Sequence, residues 1–395
     1  MSLALRPMVP RDPNEEHRAA SSLELFFDLV FVVAVSFASV ELAHLLEEDH
    51  IASGIGAYAM VFFAIWWAWM NFTWFATSFD TDDWLYRVTT IVQMAGVLIL
   101  ASGVSDAMID YDFTLVTIGY VVMRLAMVSQ WIRAGLRNSE FRGTAMRYAV
   151  GITVVQVLWV ARLALPDSVA VLGFVALVAA ELAVPVLAER AGRTPLHGEH
   201  IAERYGLFTL ILLGESLLAS ATAIVGGIDE HDHTVELVGL AMATLVVVAG
   251  MWWLYFSVSQ EDSVGARLGR SLSFGYTHYF VFAAAGAVSA GIEVAVAHIE
   301  GDGVLSDRQS SAAITIPVAV FVLGFWMVAM RRRSSRLVNI VTPVGGVAVL
   351  AATAVPGSAV VSAAVTAVIL LAVVGTTVAD RPLTPPVRRS GGRRR

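Results

Sequence analysis

Twelve runs of about 20 mostly apolar residues follow one another along this chain, separated by charged or Gly/Pro-containing breaks. The runs are apolar on all faces rather than along one stripe, which is typical of membrane helices and not of amphipathic core helices. We therefore predict an all-α, polytopic transmembrane helix bundle with about 12 spans. The runs are 23–46, 51–76, 84–104, 113–136, 145–164, 168–189, 203–225, 235–258, 272–297, 312–330, 337–355 and 358–378.

The positions of the basic residues predict the orientation of these spans. All 26 are arginines, and short cytoplasmic loops are enriched in such residues. With the N-terminus inside, nearly all of them fall on the cytoplasmic side. Only Arg162 and Arg308 lie outside, and Arg124 lies within a span. We therefore expect a multi-pass protein of the cell (inner) membrane, with cytoplasmic N- and C-termini.

Features that recur in both halves of the chain indicate an internal repeat. Each half has a Glu at the start of its first helix, a Trp pair on its second and an Arg opening its third. These residues are Glu24, Trp66 and Arg87 in the first half, and Glu203, Trp252 and Arg270 in the second. We predict two six-helix units in parallel orientation, an arrangement common among transporters.

The predicted units are bounded by polar tails. Residues 1–22 form a cytoplasmic N-terminal tail, 23–195 the first unit, 196–378 the second unit and 379–395 an Arg-rich C-terminal tail. The composition of the C-terminal tail is typical of disorder, and we expect it to contact anionic head groups rather than nucleic acid. Membrane lipids and an unknown small solute or ion are the expected partners, and the oligomeric state is left open.

Two acids stand in the first turns of the first span, in "LELFFDLVFVVA". Glu24 and Asp28 share a helix face, because they are four residues apart. Glu24 lies at the interface, where a helix N-terminus favours negative charge, so it can simply be a helix-start residue. Asp28 lies about 6 Å deeper. An acid at that depth needs a partner or water, so Asp28 is either a functional ionisable group or a structural lock to another helix.

The seventh span carries a third acid, in "HIAERYGLFTLILLGESLLASATA". Glu203 and Arg204 mark its cytoplasmic edge, and Glu215 lies about 18 Å further along the axis, near the middle of the membrane. A carboxyl group at this depth can carry a proton. Gly214 beside it would permit close approach of another helix or a ligand. We favour a functional role for Glu215 over a structural one.

Two more polar residues within predicted spans complete the candidate set. His278 shares a face with Ser271, Gly275 and Ser289, and this stripe either lines a path or packs against neighbouring helices. Arg124 stays charged and needs an acceptor, for which Asp28 or Glu215 is the expected partner.

Motifs of soluble enzyme chemistry are missing from the sequence. It has no cysteine, phosphate-binding loop, nucleophile elbow or metal-binding helix pattern. We therefore expect no cofactor, no metal site and no catalytic residues, and an enzyme is the less favoured class.

Several of these motifs together resemble the low temperature requirement A family of bacterial membrane proteins. They are "LELFFDLVFVVAV", the "WW" segments, Arg87, "HIAERYGLFTLILLGESLLA" and "RSLSFGYTHYFVFAAAG". The resemblance implies a multi-spanning inner-membrane protein linked by name to growth in the cold, and it supplies no substrate. The positions that match the family motif are Glu24, Phe27, Asp28, Glu203, Arg204, Gly214 and Glu215.

Three function classes follow from these observations. The leading hypothesis is a secondary transporter, with proton coupling as one option and with Asp28, Glu215, His278 and Arg124 as candidates for substrate binding or ion coupling. An ion channel is the second hypothesis, because the first helix faintly resembles that of an endolysosomal potassium-channel family. An intramembrane enzyme or a regulatory partner of a cell-envelope system is the third.

Overall fold

A computed structural model describes residues 5–380 except residues 14, 16, 17, 231, 232, 262, 263, 265, 266, 302, 303 and 357. In this part of the chain, all regular structure is helical. The thirteen α-helices are Ser22–Glu47 (α1), Ile51–Phe79 (α2), Trp84–Ser102 (α3), Val104–Ile109 (α4), Thr114–Arg137 (α5), Arg142–Arg162 (α6), Asp167–Ala188 (α7), Gly198–Glu230 (α8), Thr234–Tyr255 (α9), Leu268–Glu300 (α10), Asp307–Phe325 (α11), Arg336–Ala352 (α12) and Ala359–Ala379 (α13). A π-helical segment, Trp326–Met330, continues α11.

Each predicted apolar run coincides with one of these helices, and α4 is an additional short helix. Eleven helices are long and apolar enough to cross a membrane, which makes the protein a multi-pass helical membrane bundle. The eleventh run corresponds to α12, which has only 17 residues and a length of about 25 Å, less than the thickness of the hydrocarbon core. The number of spans and the orientation of the termini stay predictions, and residues 381–395 of the Arg-rich tail lie outside the described part.

Side-chain caps fix where several helices begin. Ser21 and Glu24 form a capping box at α1, in which the Ser21 amide donates to the Glu24 carboxylate at 2.8 Å. Ser306 and Gln309 form the same arrangement at α11, and Asp83 caps α3. Each cap satisfies backbone amides that the first helical turn leaves unpaired.

The helices of the two predicted units pack in the same order. In the first unit α1 packs on α2 and α3, α3 on α5, α5 on α6 and α6 on α7. In the second unit α8 packs on α9 and α10, α10 on α11, α11 on α12 and α12 on α13. Two parallel units predict this recurrence, and the duplication itself stays a prediction.

Helix α10 joins the two halves, because it packs on α1 as well as on α8 and α11. Ser39 of α1 donates a hydrogen bond to the Gly286 carbonyl of α10 at 3.0 Å, and both residues lie about 26 Å from the starts of their helices. Helices α1 and α10 therefore begin at the same end of the bundle, which we call the N-terminal face. Helix α8 begins there too, since its Glu215 bonds Ser36 of α1 and both residues lie more than about 20 Å from the starts of their helices.

The contact between α10 and α11 depends on a glycine. A Cβ atom at Gly291 would overlap the Ala313 carbonyl group of α11, which is rigid backbone. Small residues that let backbones approach closely are a common basis of helix association in membranes.

Gly291→Ala is therefore expected to push α10 and α11 apart and to lower the free energy of unfolding by about 1–3 kcal/mol. Thermal unfolding of the detergent-solubilised protein measures this change. Gly56→Ala on α2 is the matched control, because a Cβ atom there meets nothing within 4 Å. Equal thermal midpoints for the two variants would show that the close contact contributes nothing.

Candidate functional site

The acids at the start of α1 are buried against α8. Arg204 of α8 donates from Nε to Asp28 Oδ2 at 3.2 Å and from Nη2 to Asp28 Oδ1, and its Nη1 lies 2.9 Å from Glu24 Oε1. The His200 ring nitrogen Nε2 lies 3.2 Å from Glu24 Oε1. We call Glu24, Asp28, His200 and Arg204 the ion cluster. All four side chains are almost completely buried.

The geometry of Asp28 is that of a structural lock. Its two oxygens accept the bidentate pair from Arg204, and Oδ1 also accepts from Trp69 Nε1 of α2 at 2.7 Å. A fork-to-fork arginine–carboxylate pair fixes geometry as well as contributing energy. Asp28 thus connects α1, α2 and α8.

Arg204 lies inside α8 and not at the edge of the seventh span, where it was predicted. Helix α8 begins at Gly198, so Arg204 lies about 9 Å inside the helix and is fully buried. The helix starts earlier because its first turns have partners: His200 contacts Thr77 of α2, and Glu203 accepts from the Ala20 amide at 3.1 Å.

Arg124 does not pair with Asp28 or Glu215, so that prediction was also wrong. Arg124 Nη2 of α5 donates to Glu181 Oε2 of α7 at 2.7 Å, and both side chains are buried. Glu181 also accepts from Trp67 at 2.9 Å and from Tyr120 at 3.0 Å. The spacing of the apolar runs does not show which helices are neighbours in space. It therefore could not identify Glu181 as the partner of Arg124.

The Arg124–Glu181 pair predicts a non-additive effect of mutations. Arg124→Met alone is expected to lower the free energy of unfolding by about 3–5 kcal/mol, because it leaves a buried carboxylate without its counter-charge. Adding Glu181→Gln removes that charge and keeps an acceptor for Trp67 and Tyr120, so it should restore at least half of the loss. Unfolding in a denaturing detergent measures both variants, and additive losses would contradict a structural pair.

His278 does not line a path in this conformation. Its Nδ1 lies 2.7 Å from the Phe274 carbonyl oxygen and its Nε2 lies 3.2 Å from the Tyr255 hydroxyl. The ring is fully buried, with the Tyr205 ring at 4.8 Å. His278 is therefore placed as a packing residue that bonds the backbone of its own helix and the side chain of α9.

Aromatic side chains fill the space around Asp28. Trp69 stacks on Phe208 of α8 with ring centroids 4.3 Å apart, and Phe208 contacts Phe282 of α10 at 5.1 Å. We call Trp69, Phe208 and Phe282 the aromatic layer. Phe27, a family-motif position, is buried beside it against Phe72 of α2 at 4.0 Å.

Glu215 lies beyond the aromatic layer, about 26 Å from the start of α8. It is half-buried, and Ser36 of α1 donates a hydrogen bond to it at 3.0 Å. Glu293 of α10 is within electrostatic range of Glu215. Among the described residues Glu215 forms no ion pair with an arginine or histidine. The helix contact expected at Gly214 is absent in this conformation, because a Cβ atom there would meet nothing within 4 Å.

The N-terminal segment covers the ion cluster from the N-terminal face. Arg18 donates to the Ala76 carbonyl at the end of α2 at 2.7 Å, and also to the Thr77 carbonyl. Asn138 Nδ2 donates a hydrogen bond to the Met8 carbonyl oxygen at 2.7 Å. Asp80, between α2 and α3, lies under this segment. Burial raises the pKa of Asp80 to about 6, and the negative charge of Glu24 adds to the effect, while Arg18 opposes it.

Asp80 gives the stability of the protein a pH dependence. Its pKa is about 6 in the folded state against an ordinary value of 3.8. Between these pH values the folded state binds more protons than the unfolded state, so stability falls as pH rises. Asp80→Asn is therefore expected to raise the free energy of unfolding at pH 7.5 by about 1–3 kcal/mol, with little effect near pH 4.

Thermal unfolding in detergent across this pH range measures the difference. The control is Asp110→Asn, which removes the same charge from an exposed acid between α4 and α5. If Asp80→Asn shifted stability by the same amount at every pH, titration of Asp80 would not be the cause.

Some residues of the site were missed by the sequence analysis. His200 and Ser36 gave no distinct signal, since a histidine near a helix start and a serine in a span are both common. Glu293 had a signal, because it is an acid within an apolar run, the same pattern that identified Glu215. Within the described ranges, no group of three or more His, Asp or Glu side chains is arranged to hold a metal ion.

Comparison with known proteins agrees with the motif-level resemblance. The family model described as bacterial low temperature requirement A protein (LtrA) matches residues 19–375. An uncharacterized protein of Rhizobium meliloti (strain 1021) is 30% identical over 262 residues, which cover 64% of this chain and 61% of that relative. The match therefore spans about three fifths of the relative's length.

Proposed function

We propose that this chain, which belongs to the bacterial low temperature requirement A family of membrane proteins, is a secondary transporter coupled to protons. Glu215 and Glu293 exchange the proton in this proposal. The ion cluster and the aromatic layer close the N-terminal face. The transported species is a small solute whose identity is left to experiment.

The observation that carries the proposal is the difference between Glu215 and the two acids, Asp28 and Glu181, that bond an arginine within the spans. Asp28 and Glu181 each bond an arginine, so protonating either would leave a buried cation without its partner. Glu215 accepts from the hydroxyl of Ser36, and a hydroxyl can bond either form of a carboxyl group. Glu215 can therefore gain or lose a proton without breaking an ion pair.

Glu293 supports the same role. Its carboxyl group lies close enough to Glu215 for the two charges to interact. Glu47, at the end of α1 away from the N-terminal face, also interacts with Glu293. The three acids form a series that leads from that end of the bundle towards Glu215.

The region between Glu215 and the N-terminal face is closed. Phe208, Leu212 and Phe282 are buried between Glu215 and the ion cluster. Transport by alternating access needs one closed and one open side, and this arrangement fits a state closed at the N-terminal face. In the opposite state the Asp28–Arg204 pair would have to separate, which gives Asp28 a role in closure rather than in proton transfer.

Charge displacement after a pH jump tests the proposal. Proteoliposomes adsorbed on a solid-supported membrane are expected to give a transient current when the pH changes. Glu215→Gln should reduce the transient, because the amide cannot take up a proton. Glu199→Gln, at an exposed acid in the first turn of the same helix, should retain it. A panel of radiolabelled solutes then identifies the species whose uptake follows an imposed pH gradient.

Two results would contradict the proposal. An unchanged transient in Glu215→Gln would remove this carboxyl group from the mechanism. A sustained current proportional to voltage, without saturable uptake of any solute, would indicate an ion channel instead.

A further inference from the structure

A second polar feature lies away from the proposed proton site, at the N-terminal face. A cavity of about 720 Å³ opens between the start of α10 and the end of α11. Five of the residues that line it are arginines: Arg267, Arg270, Arg331, Arg332 and Arg333. We call this cavity the arginine pocket.

The π-helical segment after α11 sets the direction of the last three arginines. The Arg331 amide bonds the Trp326 carbonyl at 2.9 Å, which is the wider turn of a π-helix. Such turns are rare and occur often at functional sites. The Arg331 guanidinium lies 5.8 Å from the centre of the Trp326 ring, and Arg333 donates to the Ser259 carbonyl. Arg331 and Arg333 are therefore held in place by contacts with Trp326 and Ser259.

Four of the five arginines of the pocket have no carboxylate partner in the described part of the chain. Arg267, Arg270, Arg331 and Arg332 form no ion pair with any carboxylate described there. The N-terminus of α10 adds to the positive potential, because Arg267 at its N-cap makes no side-chain cap. Gly269 leaves the backbone there open, since a Cβ atom would meet nothing within 4 Å. This combination attracts an anion.

The wall of the pocket towards the membrane is apolar. Met327 lines the pocket and is 53% exposed. On α10 the pocket residues Ser273 and Thr277 are followed at helical spacing by Phe280, which is 55% exposed. Phe280 in turn lines an apolar groove of about 310 Å³ that α1, α2, α10 and α11 form together. A ligand in the pocket would therefore have its charged end among arginines and its other end against lipid-facing side chains.

We propose that the arginine pocket binds the phosphate group of an anionic phospholipid. Guanidinium groups bind phosphate oxygens in bidentate fashion, which a lysine ammonium cannot do. Basic pockets between transmembrane helices at a cytoplasmic surface are suited to anionic head groups. The apolar wall and groove favour a lipid over free phosphate, because only a lipid has chains to cover them.

Native mass spectrometry of the detergent-solubilised full chain tests the proposal with phosphatidylglycerol as the probe. Phosphatidylglycerol should bind more tightly than phosphatidylcholine. Arg270→Gln/Arg332→Gln is expected to lower its affinity roughly tenfold or more. Arg137→Gln/Arg190→Gln removes the same charge from the ends of α5 and α7, and should change the affinity by less than about twofold, because salt screens distant charges.

A charge-conserving variant separates a built site from a diffuse positive surface. Arg270→Lys/Arg332→Lys keeps the charge but loses the bidentate contacts, so the affinity should fall by roughly threefold or more. Equal affinities in the lysine variant and the unmodified protein, or equal losses in the pocket and control glutamine variants, would overturn the proposal. Displacement of phosphatidylglycerol by inorganic phosphate at a similar concentration would overturn the assignment to a lipid.

Discussion

The structure depends on the burial of one positive charge between two negative ones at the contact of α1 and α8. A charge within a bilayer that lacks a partner costs several kcal/mol. Arg204 can therefore be buried only where Glu24 and Asp28 meet it, which fixes α8 against α1 in both position and rotation. Because α1 opens the first predicted unit and α8 the second, this cluster also holds the two halves of the chain together.

A second buried arginine, Arg124, is also paired with a carboxylate, and acids with such a partner differ in role from acids without one. Arg124 and Glu181 pair across α5 and α7 within the first half, with Trp67 and Tyr120 completing the bonds of the carboxylate. The two acids that bond arginine stabilise the packing of helices. Glu215 is bonded to a hydroxyl instead, so the proton exchange proposed for it breaks no ion pair.

The sequence was sufficient to predict the helices, because twenty apolar residues in succession can satisfy their backbone in lipid only as a helix. The sequence was also sufficient to identify Asp28 and Glu215 as unusual, because an acid within an apolar run is costly in the membrane unless it has a partner, water or a function. It could not identify their partners. Arg124 and Glu181 are 57 residues apart, and only the arrangement of helices brings them together. The start of α8 was misplaced for the same reason, since the partners of Arg204 lie on another helix.

The ion cluster and Glu215 lie on the same two helices, which links their behaviour. Asp28 and Ser36 are eight residues apart on α1, about 12 Å along a helix without a break between them. Arg204 and Glu215 are similarly placed on α8. A tilt of α8 that separated Glu215 from Ser36 would also displace Arg204 from Asp28, because both contacts are made by rigid helices. In the proposed transporter, a change in the protonation of Glu215 would thus act on the closure at the N-terminal face through the backbone of α1 and α8, without a chain of side chains between them.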